Sequence, residues 1–174
     1  CSMIDTARRA GRVLTVGFHN RYRPEMMAAK AIIDKGALGE IYYARASMLR
    51  RRGIPGYGSW FTNKDLAGGG ALMDIGCHML DLVLWLMGNP KITTVSASTY
   101  SKLGPKGRGH WAGARFQHSS ENAFEVDDLA AAFMRTEAGA TIHLETSWAT
   151  NSAHTDDHGV ILFGDEGGAE IRIH

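Results

Sequence analysis

Cysteine is nearly missing from this chain. Its two residues, Cys1 and Cys77 among 174, are too few for a disulfide framework, as expected of a reducing, cytoplasmic setting. No Cys-x-x-Cys pair occurs and the eight histidines are scattered, so no metal site is expected. An excess of one charge is missing too: 19 Lys and Arg stand against 18 Asp and Glu, a net charge of +1. Nucleic-acid binders carry a basic excess or stripe, and here only Arg50-Arg51-Arg52 cluster. That run reads as a solvated loop or as a local contact for an anion or substrate. No apolar run reaches the roughly 18 residues that span a bilayer, and no signal peptide opens the chain. The dinucleotide fingerprint G-x-G-x-x-G is also absent, which removes the usual phosphate cradle.

What remains is 44% hydrophobic, enough for one packed core. The first residues, Ser2 to Gly11, read as the last turns of a helix closed by glycine. The finish, Glu170 to His174, stops inside an alternating strand pattern, so both ends read as truncated. After Gly11, Val13 to Phe18 is a short apolar run of the kind buried in a parallel sheet. A helix followed by such a strand is the grammar of a doubly wound α/β sheet. The polar exit His19-Asn20-Arg21-Tyr22-Arg23-Pro24 then lies where such sheets place ligands.

Pro24 opens a helix that Gly36 closes, and Ile41 to Leu49 reads as a strand. A long loop from Arg50 to Ala67 carries Tyr57, Trp60 and Phe61; unstructured stretches of this length are often functional. Gly68-Gly69-Gly70 leads into a helix from Ala71 to Met87. Downstream, Lys91–Tyr100, Val126–Arg135, Ala140–Ala149 and Val160–Phe163 read as strands, with Thr136 to Gly139 as a tight connection. Short links imply antiparallel pairing. Residues 101–122 read as a loose polar excursion. The fold expected is α+β, a mixed, largely antiparallel open sheet with helices on one face. Phe133, Ile142, Leu144 and Trp148 are candidates for the face left open, which as an apolar patch would mark an oligomer contact.

The chemistry concentrates in residues 68–88. On a helix Asp74, His78 and Asp81 are spaced i, i+4, i+7 and share one face, while Ile75, Met79, Leu82 and Leu86 form the adjacent apolar stripe. The three glycines allow a backbone or ligand to approach closely. A histidine near neutrality can accept a hydroxyl proton, and a carboxylate one turn earlier can hold the imidazole or a substrate hydroxyl. A plain hydrogen-bonded helix pair has the same spacing, and a metal would need a third ligand from elsewhere.

GGGALMDIGCHMLD resembles the helix signature of the Gfo/Idh/MocA oxidoreductases, the family of glucose–fructose oxidoreductase and inositol dehydrogenases. VGFHNRYRP, LGEIYYA, the Ser59-Trp60 pair and ILFGDEGGAEI extend the resemblance, in order, over nearly the whole chain. The resemblance implies that residues 1–18 are the remnant of a Rossmann domain and that residues 19–174 form a substrate-binding and oligomerisation domain. It implies His78 as the proton-exchanging residue and Asp74 as its catalytic neighbour. Asn20 and Arg21 would lie near the nicotinamide, and Tyr57, Trp60 and His154 would border the substrate, with Asp157 and His158 able to reach the rim. The family's Glu-Lys-Pro motif does not occur in this chain, so the chain alone is not expected to turn over substrate or hold NAD or NADP tightly. The function implied is hydride transfer at a secondary alcohol of a sugar or polyol by the whole protein, as a homo-oligomer. The alternative is a non-catalytic sugar-binding or regulatory relative.

Overall fold

A computed structural model describes residues 2–111 and 124–173. Helix α1 (Ser2–Arg9) is followed by α2 (Pro24–Ile33), which starts with proline at its first turn, where a missing N–H costs nothing. Strand β1 (Ile41–Arg50) leads through short helix α3 (Lys64–Ala67) to α4 (Cys77–Leu86). Strands β2 (Ile92–Tyr100), β3 (Leu129–Thr136), β4 (Thr141–Ser147), β5 (Asp156–Gly164) and β6 (Gly168–Arg172) complete the chain. They form one six-stranded sheet in the order β2-β3-β4-β1-β5-β6. Every neighbouring pair is antiparallel except β1 with β4, so the sheet is mixed and largely antiparallel.

Strand parity decides which side chains meet the helices. In β1, Ala44, Ala46 and Met48 point to one face; opposite them stand Ile142, Leu144 and Thr146 of β4 and Leu162, Val160 and His158 of β5. Against this face pack Met26 of α2 and Met79, Leu82, Val83 and Leu86 of α4, all fully buried. Each such side chain contributes about 1.5–3 kcal/mol through removal from water. The stretch Lys64–Leu86 is apolar and long enough to cross a bilayer by composition, but these contacts make it the core helix of the domain.

The opposite face carries Tyr43, Arg45, Phe133, His143, Glu145, Ile161 and Phe163, all partly or largely exposed. Of the residues expected there, only Phe133 is found on it. Ile142 and Leu144 alternate inward with the core parity, and Trp148, just beyond β4, is sealed in a second cluster with Ile54, Tyr57, Ile75 and Val126. The open face is therefore more polar than expected, with Arg45 paired to Glu145 at 2.9 Å.

Two further expectations change. Val13 to Phe18 is not a buried strand: it belongs to no sheet, and Val13 and Val16 are 95% and 73% exposed. A strand needs a neighbour for its backbone groups, and none of the six reaches this segment. The long loop after β1 is not unstructured, since it contains a 3₁₀ turn at Trp60–Thr62 and α3. Of the excursion at 101–122, residues 101–111 are described and the remainder lies outside the described residues. Gly104–Lys106 form a 3₁₀ turn, pinned by the buried Asp128 carboxylate, which accepts from the backbone N–H groups of Lys102, Leu103 and Gly104 at 2.6–2.8 Å. The connection at Thr136–Gly139 is a tight turn, with Gly139 at φ 94° and its N–H donating to Thr136 O.

Candidate active site

The glycine run approaches protein rather than ligand. Asp127 uses both carboxylate oxygens there, accepting from Gly70 N at 2.8 Å and Leu72 N at 2.9 Å. A Cβ on Gly70 would overlap the Asp127 carbonyl. The amides that could have cradled a phosphate are thus committed to the chain's own carboxylate, and a dinucleotide pyrophosphate does not fit at this helix start. Among the described residues no three His, Cys, Asp or Glu side chains are grouped so that they could hold a metal ion.

From Leu72 to Gly76 the backbone is a π-helix, with Cys77 N–H donating to Leu72 O five residues back. Such single wide turns gather at functional sites. This one carries Asp74 and delivers it to the second core cluster, where the Trp148 indole Nε1–H donates to Asp74 Oδ2 at 2.8 Å. His78 follows in regular α-helix. Its ring packs edge-on to Phe18 and His19 at 5.7 and 5.5 Å, and its Nδ1 is buried without a hydrogen-bond partner among the described residues. Asp81 turns away to Arg21, which donates Nε–H to Asp81 Oδ2 at 2.7 Å and pairs with it through a second nitrogen. That bond raises the guanidinium pKa above its ordinary value, against partial desolvation. It fastens the 3₁₀ turn His19–Tyr22 onto α4.

Asp74 and His78 line one open cleft of about 350 Å³. His19, Asn20 and Arg23 close one side, Met48, Arg50 and His158 rise from the sheet, and Ile75 and Ile173 complete it. His158 stands opposite Met48 in register. Burial, with a smaller contribution from the Arg50 charge, lowers its pKa against the opposing pull of Asp156 and Asp157. The cleft therefore holds a fixed carboxylate, three imidazoles and two guanidinium groups around a sugar-sized space.

Other expected site residues lie elsewhere. Arg21 sits behind the cleft on Asp81 rather than in its lining. Tyr57 is buried in the second cluster, its hydroxyl donating to Gly104 O; burial and then the Asp128 charge push its pKa up to about 12. Trp60 stacks on Phe61 at 3.9 Å and is absent from the lining. His154 is exposed, two residues beyond Ser152, whose hydroxyl donates to its carbonyl. Trp148 is the residue sequence reasoning missed at this site. It is separated from Asp74 by 74 positions, and no local pattern connects them. Met48 and Ile173 are likewise ordinary strand residues until the sheet is assembled.

Residues 26–170 match the GFO/IDH/MocA C-terminal domain. Over 97% of its length the chain is 37% identical to D-glucoside 3-dehydrogenase of Escherichia coli (strain K12), covering 47% of that protein. It superposes on levoglucosan dehydrogenase in complex with NADH and levoglucosan with a TM-score of 0.74 and 26% identity, covering 92% of this chain and 40% of that one. Aldose-aldose oxidoreductase from Caulobacter crescentus, complexed with glycerol, gives 0.75 and 25% over 98% and 44% of the two chains. The chain spans under half the length of these relatives. It belongs to the GFO/IDH/MocA C-terminal domain family.

Proposed function

We propose that this chain is the substrate-binding half of a nicotinamide-dependent dehydrogenase that oxidises a secondary alcohol of a sugar or related polyol. The observation that carries the reading is the shared cleft: the Asp74 carboxylate, held by Trp148, and the His78 imidazole line the same 350 Å³ space. The relatives' names support it, since one is a glucoside dehydrogenase and another holds NADH and a sugar.

In this reading His78 accepts the proton of the reacting hydroxyl and Asp74 orients that hydroxyl by accepting a hydrogen bond from it. NAD or NADP, when bound, accepts the hydride. Asn20, at the cleft edge, faces the nicotinamide end, and Arg21 acts at a distance by holding the His19–Tyr22 turn against α4. Residues 1–18 go with the dinucleotide-binding domain, whose surface covers the exposed Val13 and Val16. The open sheet face serves association between copies of the chain, in the cytoplasm.

The test is steady-state kinetics on the full-length protein. His78→Ala lowers kcat by roughly 10²–10⁴-fold, the usual scale for a general acid–base group, and leaves the dinucleotide affinity near its starting value. Asp74→Asn raises KM as well as lowering kcat. A His78→Ala enzyme with normal kcat and an unchanged pH profile would remove His78 from proton transfer.

A further inference from the structure

Arg50 is the cleft's uncommitted cation. It ends β1 on the same face as Met48, and its backbone carbonyl is locked by the hydroxyls of Ser147 and Thr150, at 3.2 and 3.3 Å. Its aliphatic stem lies over Gly53, where an added Cβ would come within 2.6 Å of Arg50 Cδ. The glycine at 53 leaves the room that the stem occupies.

The guanidinium is left unmatched. It makes no hydrogen bond or ion pair with any described residue, although carboxylates are close. Asp156 stands directly across from Arg50 in register, and its carboxylate lies 3.4 Å from His158 Nε2 without a hydrogen bond between them. Asp74 is bonded to Trp148, and the second cation of the lining, Arg23, is paired with Glu25. Its sequence neighbours differ: Arg51 and Arg52 are exposed outside the cleft, and Arg52 donates to the carbonyls of Arg51 and Thr150. A guanidinium presents planar, paired donors that match carboxylate and phosphate oxygens two at a time.

We propose that Arg50 is a specificity-determining residue that binds an anionic oxygen group, a carboxylate or a phosphate ester, on the sugar substrate. The proposal rests on the reading of the cleft as a sugar site and adds the charge of the sugar. Reacting carbon and anion then lie at different walls, the first against Asp74 and His78 on the helix side and the second against the sheet.

Isothermal titration of the full-length protein separates the possibilities with matched probes: methyl glucoside, methyl glucuronide and glucose 6-phosphate. At low salt a charged probe binds about tenfold or more tightly than the neutral one, a difference within reach of a single charge-assisted pair. Whether the glucuronide or the phosphate gains more assigns the group as carboxylate or phosphate. Arg50→Gln brings the charged-to-neutral ratio to within about threefold, and Arg50→Lys, which keeps the charge without the fork, falls between. The inference is overturned if wild-type protein binds neutral and charged probes alike, or if Arg50→Gln keeps the full ratio. If none of the three probes binds, the sugar-site reading fails and the inference falls with it.

Discussion

Removing the Asp74 carboxylate isolates the bond that fixes it. Trp148 is 0% exposed, so Asp74→Ala leaves its indole N–H buried with no acceptor. An orphaned buried donor costs about 1–3 kcal/mol. Alanine is the better helix former by roughly 0.5 kcal/mol, so the net destabilisation comes to about 0.5–2.5 kcal/mol. Trp148→Phe removes the same bond from the other side, but Asp74 is partly exposed and water replaces the lost donor; its larger cost is the cavity left by the smaller ring. The double variant pays for the cavity without paying again for the bond. The propensity gain cancels between the single and double variants, so urea unfolding of the four proteins yields a coupling of about 1–3 kcal/mol, in the range for groups in direct contact. Loss of the bond also shifts the Trp148 indole N–H resonance in Asp74→Ala. Additivity within about 0.3 kcal/mol would refute the assignment and leave Asp74 held by packing alone.

Gly70→Ala forces a methyl into the Asp127 backbone, and since no side chain can move aside, unfolding measurements show a loss of at least about 2 kcal/mol. Gly17→Ala is its control: the site is open, its φ is not positive, and stability changes by less than about 1 kcal/mol. Tyr57 supplies the alkaline limit. Its folded pKa is raised to about 12 from 10.0, so the unfolded chain loses its proton first, and stability is full below pH 10 and falls as pH rises toward 12. Tyr57→Phe removes that part of the decline, as thermal unfolding at pH 9 and 11 reports.

Local periodicity carried much of the fold. The α4 stripe Met79, Leu82 and Leu86 is buried as its spacing requires, and each strand from β1 onward lies within a few residues of its alternating segment. Parity was harder. Thr141-Ile142-His143-Leu144-Glu145 alternates whichever face is buried, and only α4 lying against Ile142 and Leu144 decides that they point inward. Val13 to Phe18 shows the converse: its composition suits a buried strand, but burial requires a partner that none of the described strands supplies. The site divides the same way. Asp74 and His78 line one cleft, as four positions on one helix imply. The Arg21–Asp81 ion pair joins residues 60 positions apart, and no local pattern signals it.

The glycine run shows how a correct local reading can leave the chemistry open. Three consecutive glycines at a helix start fit two different sites. In one, backbone amides bind a phosphate; in the other, they dock the helix so that its side chains can work. The choice rests on what fills the space beside Gly70, and here it is Asp127, 57 positions away, with both oxygens on the amides. A carboxylate in that position repels a phosphate and fastens the helix start to the chain leading into β3. The first turn is thereby spent on anchoring, and the wide π turn that follows aims Asp74 at Trp148. Asp127→Asn therefore should not create a phosphate site; it should loosen the turn that carries Asp74, because the neutral amide offers one acceptor oxygen where the carboxylate offered two.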